Sequence, residues 1–238
     1  MFSSARSRLN PIFRLFLKLA CPLCQRPTGA EICLQCQKEL KQQRFSDPAQ
    51  FWHESPRIFA WGSYGGSLKR AIAHFKYDNG SDLALPLGQQ LAQAWLASPI
   101  SRETGNPIVV PIPLHADKQK QRGYNQAELL ARQFCHLTGC RLKVHGLQRS
   151  QATEALFKLS AAEREETLKQ AFDVGKEFHQ QRPNSPVLIF DDIYTSGATA
   201  RSAIQTLRSY GIQVKGVIVL AKAMSWKEQP DSTSFKIG

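Results

Sequence analysis

Short, mostly apolar runs alternate along the chain with longer segments whose apolar residues recur every three or four positions. The runs at 187–190 (Val-Leu-Ile-Phe), 108–112 (Ile-Val-Val-Pro-Ile) and 213–221 are brief and rich in β-branched residues, the signature of strands buried on both faces of a parallel sheet. Arg57 to Trp61 reads as a further strand and Arg141 to His145 as a short one. Helical spacing is predicted for Leu68 to Tyr77, Leu83 to Leu96, Ala127 to Phe134 and Ala198 to Tyr210; in the last, Ala203, Ile204 and Leu207 share one face. Residues 98–107, with Pro99, Gly105 and Pro107, read as a break, Glu163 to Phe172 as partly helical, and Arg182 to Pro186 as a linker. Strand alternating with helix predicts an α/β fold, a parallel-rich twisted sheet flanked by helices.

The segment from Val187 to Thr199 carries the most chemistry. An apolar strand runs into Asp191 and Asp192, then into a small turn, Thr195-Ser196-Gly197-Ala198-Thr199, that opens a helix. Such a turn lies at the carboxyl end of a strand, where open α/β sheets bind ligands. Hydroxyls, a glycine and the free N–H groups of a helix start make a phosphate cradle. Two acids beside it suit the vicinal hydroxyls of a ribose, or a hydrated Mg²⁺. Together they describe a site for a ribose 5-phosphate. The alternative is that the acids solvate a strand end while Thr195 caps the next helix.

A second loop, between the 108–112 strand and the helix from Ala127, also falls at a carboxyl edge. It sets Lys118, Lys120 and Arg122 against Asp117 alone, a composition that attracts a diphosphate or forms a solvated basic loop. His115 borders it, and His74 is the other candidate acid–base group; a lone histidine beside apolar neighbours is more often structural.

Cys21-x-x-Cys24 and Cys33-x-x-Cys36 form the third feature. Two thiolate pairs around tight turns offer four soft ligands to one tetrahedral ion, which points to structural zinc, against disulfides or a redox pair. Cys135 and Cys140 read as core or incidental residues. Phe51, Trp52, Trp61 and Tyr64 follow the module; they tie it to the sheet, or Trp61 and Tyr64 stack a base.

Charge adds a polyanion to this picture. The 238 residues hold 31 Lys plus Arg against 19 Asp plus Glu, a net charge of +12, and residues 1–44 contribute eight bases and two acids to it. Within residues 6–20, Leu9, Ile12, Phe13, Phe16 and Leu17 are interleaved with Arg6, Arg8, Arg14 and Lys18. A basic amphipathic helix there packs on the cysteine module, contacts anionic lipid peripherally, or binds an acidic partner. It is too short and too charged to span a bilayer, and no secretory signal is evident, so a cytoplasmic protein is expected. The expected organisation is a basic segment at 1–20, a zinc module at 21–45, an α/β domain at 55–223 and a polar tail at 224–238.

The thirteen residues 187–199 resemble the phosphoribosyl diphosphate signature of the type I phosphoribosyltransferases, and the wider chain resembles the ComF-type competence protein family. Val110-Pro111-Ile112-Pro113-Leu114 followed by Arg122-Gly123-Tyr124-Asn125-Gln126-Ala127 carries that second resemblance, with support from 68–77 and 159–164. It implies that Asp191 and Asp192 contact the ribose hydroxyls, that Thr195, Ser196, Gly197, Ala198 and Thr199 hold the 5-phosphate, and that Lys118, Lys120, Arg122, Gly123, Tyr124, Asn125 and Gln126 border the diphosphate, with Mg²⁺ accompanying the ligand. Residues 146–172 resemble a loop that covers the site in related transferases. There Arg149 and Thr153 match the family, but Leu156 replaces a customary amide and Thr167 an asparagine. Such losses leave a polar partner unmatched and tell against turnover more than against binding. Two functions follow as expectations: a phosphoribosyl diphosphate-binding protein handling single-stranded DNA alongside competence proteins, or an active transferase whose acceptor no motif identifies.

Overall fold

The computed structural model describes residues 19–77, 80–149, 171–179 and 181–224. Of the basic segment expected at 1–20, residues 1–18 lie outside the described residues, as do the loop residues Thr153, Leu156 and Thr167 and the tail from 225; Leu19 and Ala20, expected at the end of a helix, are in a strand. A small hairpin, β1 (Leu19–Ala20) and β2 (Pro27–Thr28), leads into α1 (Leu34–Lys41). The main sheet comprises β3 (Ile58–Ser63), β4 (Ile108–Pro111), β5 (Arg141–Leu142), β8 (Val187–Tyr194) and β9 (Val214–Lys222), in the order β3-β9-β8-β4-β5 with every neighbouring pair parallel. The hairpin of β6 (Leu147–Arg149) and β7 (Phe172–Val174) stands apart, followed by α7 (Lys176–His179). The parallel α/β class read from the periodicity is therefore the observed one.

Alternation between two buried faces explains why the central residues of these strands are apolar. Leu188 and Phe190 of β8 face one core together with Phe59, Trp61, Val109, Ile218 and Leu220. Val187 and Ile189 face the other, with Ile58, Val110, Val217 and Val219. Helices cover the first face: α2 (Gly66–Tyr77), α3 (Ala84–Ala97) and α6 (Gln126–Thr138) bury Phe75, Leu91 and Phe134 against it. The contact of α3 with α6 is close enough that a Cβ at Gly88 would stand 2.6 Å from Cβ of Gln133. On the second face α8 (Ala198–Ser209) and the β6–β7 hairpin bury Ala203, Leu207 and Phe172.

The cysteine module joins the first core. Cys21, Ile32, Cys36 and Leu40 pack in one cluster with Trp52, Trp61 and Trp95, as the reading of Trp52 and Trp61 as ties required; Phe51 instead joins the opposite core. Trp95 sets its ring edge-on to Trp52 at 5.8 Å and to Phe59 at 5.0 Å. The chain leaving the module runs along the outer side of β3: Ser63 N–H donates to Gln43 O, Phe45 N–H to Trp61 O and Ala60 N–H to Pro48 O. An edge strand is thereby covered.

Several boundaries differ from the expectation. Residues 98–107 are not a break: Ser98 caps α4 (Pro99–Thr104), and Pro99 occupies the first turn, where its missing N–H goes unused. The basic loop after β4 contains α5 (Ala116–Arg122), which buries no residue. Phe172, expected in a helix, is in β7. Most consequential for the site, β8 does not end at Phe190 but continues to Tyr194, because its parallel pairing with β9 extends to Tyr194–Lys222. Both signature acids are thus strand residues.

Candidate functional site

Beyond Tyr194 the chain turns through Thr195, Ser196 and Gly197 into α8. Gly197 adopts φ +76°, and a Cβ there would collide with the Tyr194 hydroxyl and crowd Arg201. Only glycine fits this left-handed, crowded position. Thr195, Ser196, Ala198 and Thr199 are exposed around it. Ser196 Oγ accepts from Ala198 N–H at 3.4 Å, and Arg201 Nη1 donates to Ser196 O at 2.8 Å, so the turn is fixed from below with its hydroxyl side open. The expected cradle residues are together, at the N-terminal end of a 12-residue helix and on the carboxyl edge of the sheet.

The two acids divide between the faces of the strand, as period-two alternation demands. Asp192 is buried and lies toward α2, with Oδ2 2.7 Å from Lys76 Nζ. That atom has no aligned hydrogen-bond partner, so the contact is a close ion pair. Asp191 Oδ1 accepts from Asp192 N–H at 2.8 Å. Burial first, and then the neighbouring Asp192 charge, push the Asp191 carboxyl up to about 8. Arg149 ends β6; burial pulls its guanidinium down from the ordinary arginine value and the nearby Asp191 opposes that, while its Nε donates to Pro113 O at 3.3 Å and its guanidinium covers the Phe172 ring at 5.1 Å.

The basic segment behaves unevenly. Lys118 and Lys120 are exposed on α5. Arg122 turns inward, donating from Nη1 to Gln126 Oε1 at 3.0 Å and lying 5.1 Å from the Tyr77 ring centre. It lines a cleft with Lys76, Tyr77, Gln121 and Tyr124. Tyr124 Oη donates to Phe75 O at 2.6 Å. Asn125 and Gln126, expected beside a leaving group, are buried: Asn125 Nδ2 donates to Ile112 O at 2.9 Å, its Oδ1 accepts from Ala127 N–H, and Gln126 Nε2 reaches Phe75 O at 3.5 Å. In this structure their amides fasten α2 and α6 to the end of β4; buried polar groups must find such partners. Gly123 ends α5 in the left-handed region. His115 accepts from Asp117 N–H at 3.3 Å and so caps α5. A larger depression of about 300 Å³ between Trp52, His53, Arg57, Glu103 and Lys215 opens near the amino ends of β3 and β9, away from the acids.

Sequence reasoning gave Lys76 no role. Its partner lies 116 positions along the chain, beyond any local pattern, and the only hint was its place in the Phe75-Lys76-Tyr77 triplet.

In the amino-terminal module, the Sγ atoms of Cys21, Cys24, Cys33 and Cys36 all lie within 4.8 Å of one another, with Cys24 and Cys33 3.6 Å apart. Cys33 N–H approaches Cys21 Sγ at 3.5 Å, a contact that favours thiolate. The cluster is built to chelate a metal. Cys135 sits in the core, where burial drives its thiol up to about 12 and keeps it inert. No helix among the described residues is long and apolar enough to cross a membrane.

No protein-family model matches the chain. Individual proteins do. It is 29% identical to DNA utilization protein YhgH of Salmonella typhi over 86% of this chain and 84% of that protein. Competence protein F of Haemophilus influenzae is 29% identical over 68% of this chain and 71% of its own, and competence protein ComFC of Bacillus subtilis 24% identical over 87% and 78%. A solved adenine phosphoribosyltransferase from Leishmania donovani overlays 86% of this chain and 87% of its own at 14% identity, with a TM-score of 0.34, too loose a fit to add to the strand order. Similarity running through most of each relative, together with the four-cysteine cluster ahead of a parallel α/β sheet, makes this chain a homologue of these competence and DNA utilization proteins.

Proposed function

We propose that the protein binds phosphoribosyl diphosphate with Mg²⁺ at the carboxyl edge of β8 and acts in the cytoplasm in handling single-stranded DNA during natural competence. One observation carries the reading: the Thr195–Thr199 turn offers open hydroxyls and free helix N–H groups at the end of the strand that bears Asp191 and Asp192. A phosphate suits the turn, since it meets hydroxyl donors and the positive end of α8. Ribose hydroxyls suit the acids, which accept hydrogen bonds from them. The family supplies the biological setting, its members being named for competence and DNA utilization. Zinc is the metal proposed for the cysteine cluster: bonds of about 2.3 Å in a tetrahedron set sulfurs about 3.8 Å apart, near the separation of Cys24 and Cys33.

A second reading, an active transferase, draws on Lys76 and Arg122 lining one cleft next to the acids. An acceptor's lone pair would form the bond to the anomeric carbon as the carbon–oxygen bond to diphosphate breaks, the electron pair leaving with diphosphate and the acceptor's proton passing to solvent. The two cations would steady the departing charge.

Titration calorimetry with phosphoribosyl diphosphate, with and without Mg²⁺, tests the binding. Saturable, Mg²⁺-dependent heat is expected, with affinity reduced at least about tenfold in Asp191→Asn/Asp192→Asn; no heat in the wild type would refute the proposal. Diphosphate release across a panel of nitrogenous acceptors separates transferase from binding protein.

A further inference from the structure

Lys76 borders two places at once. Its Nζ is 2.7 Å from Asp192 Oδ2, and its side chain lines the cleft shared with Tyr77 and Arg122. The two cations of that cleft are held very differently. Arg122 is anchored by its bond to Gln126 and by the Tyr77 ring. The Lys76 ammonium rests on an ion pair that lacks hydrogen-bond alignment at Asp192 Oδ2, and it ends a flexible four-carbon stem. Lys118 and Lys120, the lysines that composition singled out, are exposed and do not line the cleft.

We infer that Lys76 is the exchangeable cation of this site: it pairs with Asp192 while the site is empty and moves to the diphosphate oxygens beside Arg122 when ligand binds, freeing Asp192 for a ribose hydroxyl. The inference rests on the sugar-phosphate reading above. A buried carboxylate beside a second carboxyl is costly when unpaired, and Lys76 offsets that in the empty protein. A bound ribose brings its own donor to Asp192, so the ammonium is no longer needed there. Diphosphate brings surplus negative charge to the cleft, where one fixed guanidinium leaves room for a second cation.

Calorimetry on the full-length, zinc-loaded protein with two separate probes, magnesium pyrophosphate and ribose 5-phosphate, tests the exchange. Lys76→Met is expected to weaken pyrophosphate about 10- to 100-fold, the loss of one charge-assisted contact, and to leave ribose 5-phosphate within about threefold or tighter. Because Lys76→Met strands a buried carboxylate, the double variant Lys76→Met/Asp192→Asn is measured beside it and should keep the pyrophosphate defect. Pyrophosphate affinity unmoved in both variants, with ribose 5-phosphate still bound, overturns the exchange alone. Failure of the wild type to bind ribose 5-phosphate overturns the underlying reading and the exchange with it.

Discussion

Asp191 and Asp192 are neighbours in sequence and opposites in environment, and the difference has a measurable consequence. Asp192 has Lys76 beside it; Asp191 is pushed up to about 8 by burial and by the Asp192 charge. Between the ordinary carboxyl value of 3.8 and about 8, the folded protein holds a proton on Asp191 that the unfolded chain has lost. Stability from this group is therefore complete below the lower value and disappears as pH rises through the upper one. Denaturant titrations at a series of pH values should show stability falling across that window in the wild type and a flatter profile in Asp191→Asn; an identical slope in both would refute the assignment. Gly197 gives the other residue-level prediction. Gly197→Ala imposes a left-handed backbone and a clash with Tyr194, at about 1–3 kcal/mol, so it should lower the thermal midpoint by several degrees and abolish ribose 5-phosphate binding in calorimetry. Residue types at the site were legible because strand, acids and cradle are contiguous. The split of the acids between faces was not, since it depended on the strand continuing past Phe190.

Elements were legible where a period could be counted, and misread where polar residues concealed one. Nothing in Asp-Asp-Ile-Tyr marks a strand; pairing with the parallel β9 makes it one. Pro99 looked like a breaker and is a helix starter, a distinction set by the Ser98 cap. Lys118, Lys120 and Arg122 read as a loop but belong to α5, where Arg122 in the last turn reaches Gln126 and the Tyr77 ring while the lysines stay exposed. The cysteine spacing, by contrast, foretold a cluster that the fold brings together at two Cys-x-x-Cys turns. Cys21 and Cys36 also belong to the principal core with Leu40 and Trp52, so a metal held by the cluster would be tied to packing. One zinc per chain should be released when the thiols are titrated with a mercurial in the presence of a chromophoric chelator. Cys36→Ser should lower thermal stability and shift the tryptophan fluorescence, because Trp52, Trp61 and Trp95 share that core. Zinc release with unchanged fluorescence would show that the module does not depend on the metal for its docking.

At the scale of the whole molecule, charge is the property that neither fold nor pocket uses up. The net charge is +12, and the first 44 residues supply a net six of it, far more than one diphosphate requires. We propose a second, extended anion for the surplus; single-stranded DNA has the repeating phosphates to meet it. The sheet's carboxyl edge and the basic amino-terminal segment would then serve different ligands, one closed around a sugar phosphate and the other open along a strand. Phosphate contacts of this kind release counterions, so log affinity falls linearly with log salt, by about 0.7 for each single-strand phosphate neutralised. Replacing Arg6, Arg8, Arg14 and Lys18 with glutamine should therefore weaken oligothymidylate binding and reduce the salt slope by about 3 if all four meet phosphates. Phosphoribosyl diphosphate binding, measured on the same variant, should not change, because these residues lie far in sequence from the signature. An unaltered salt slope would remove the amino-terminal segment from the DNA surface and leave the surplus charge to be sought on the α/β domain.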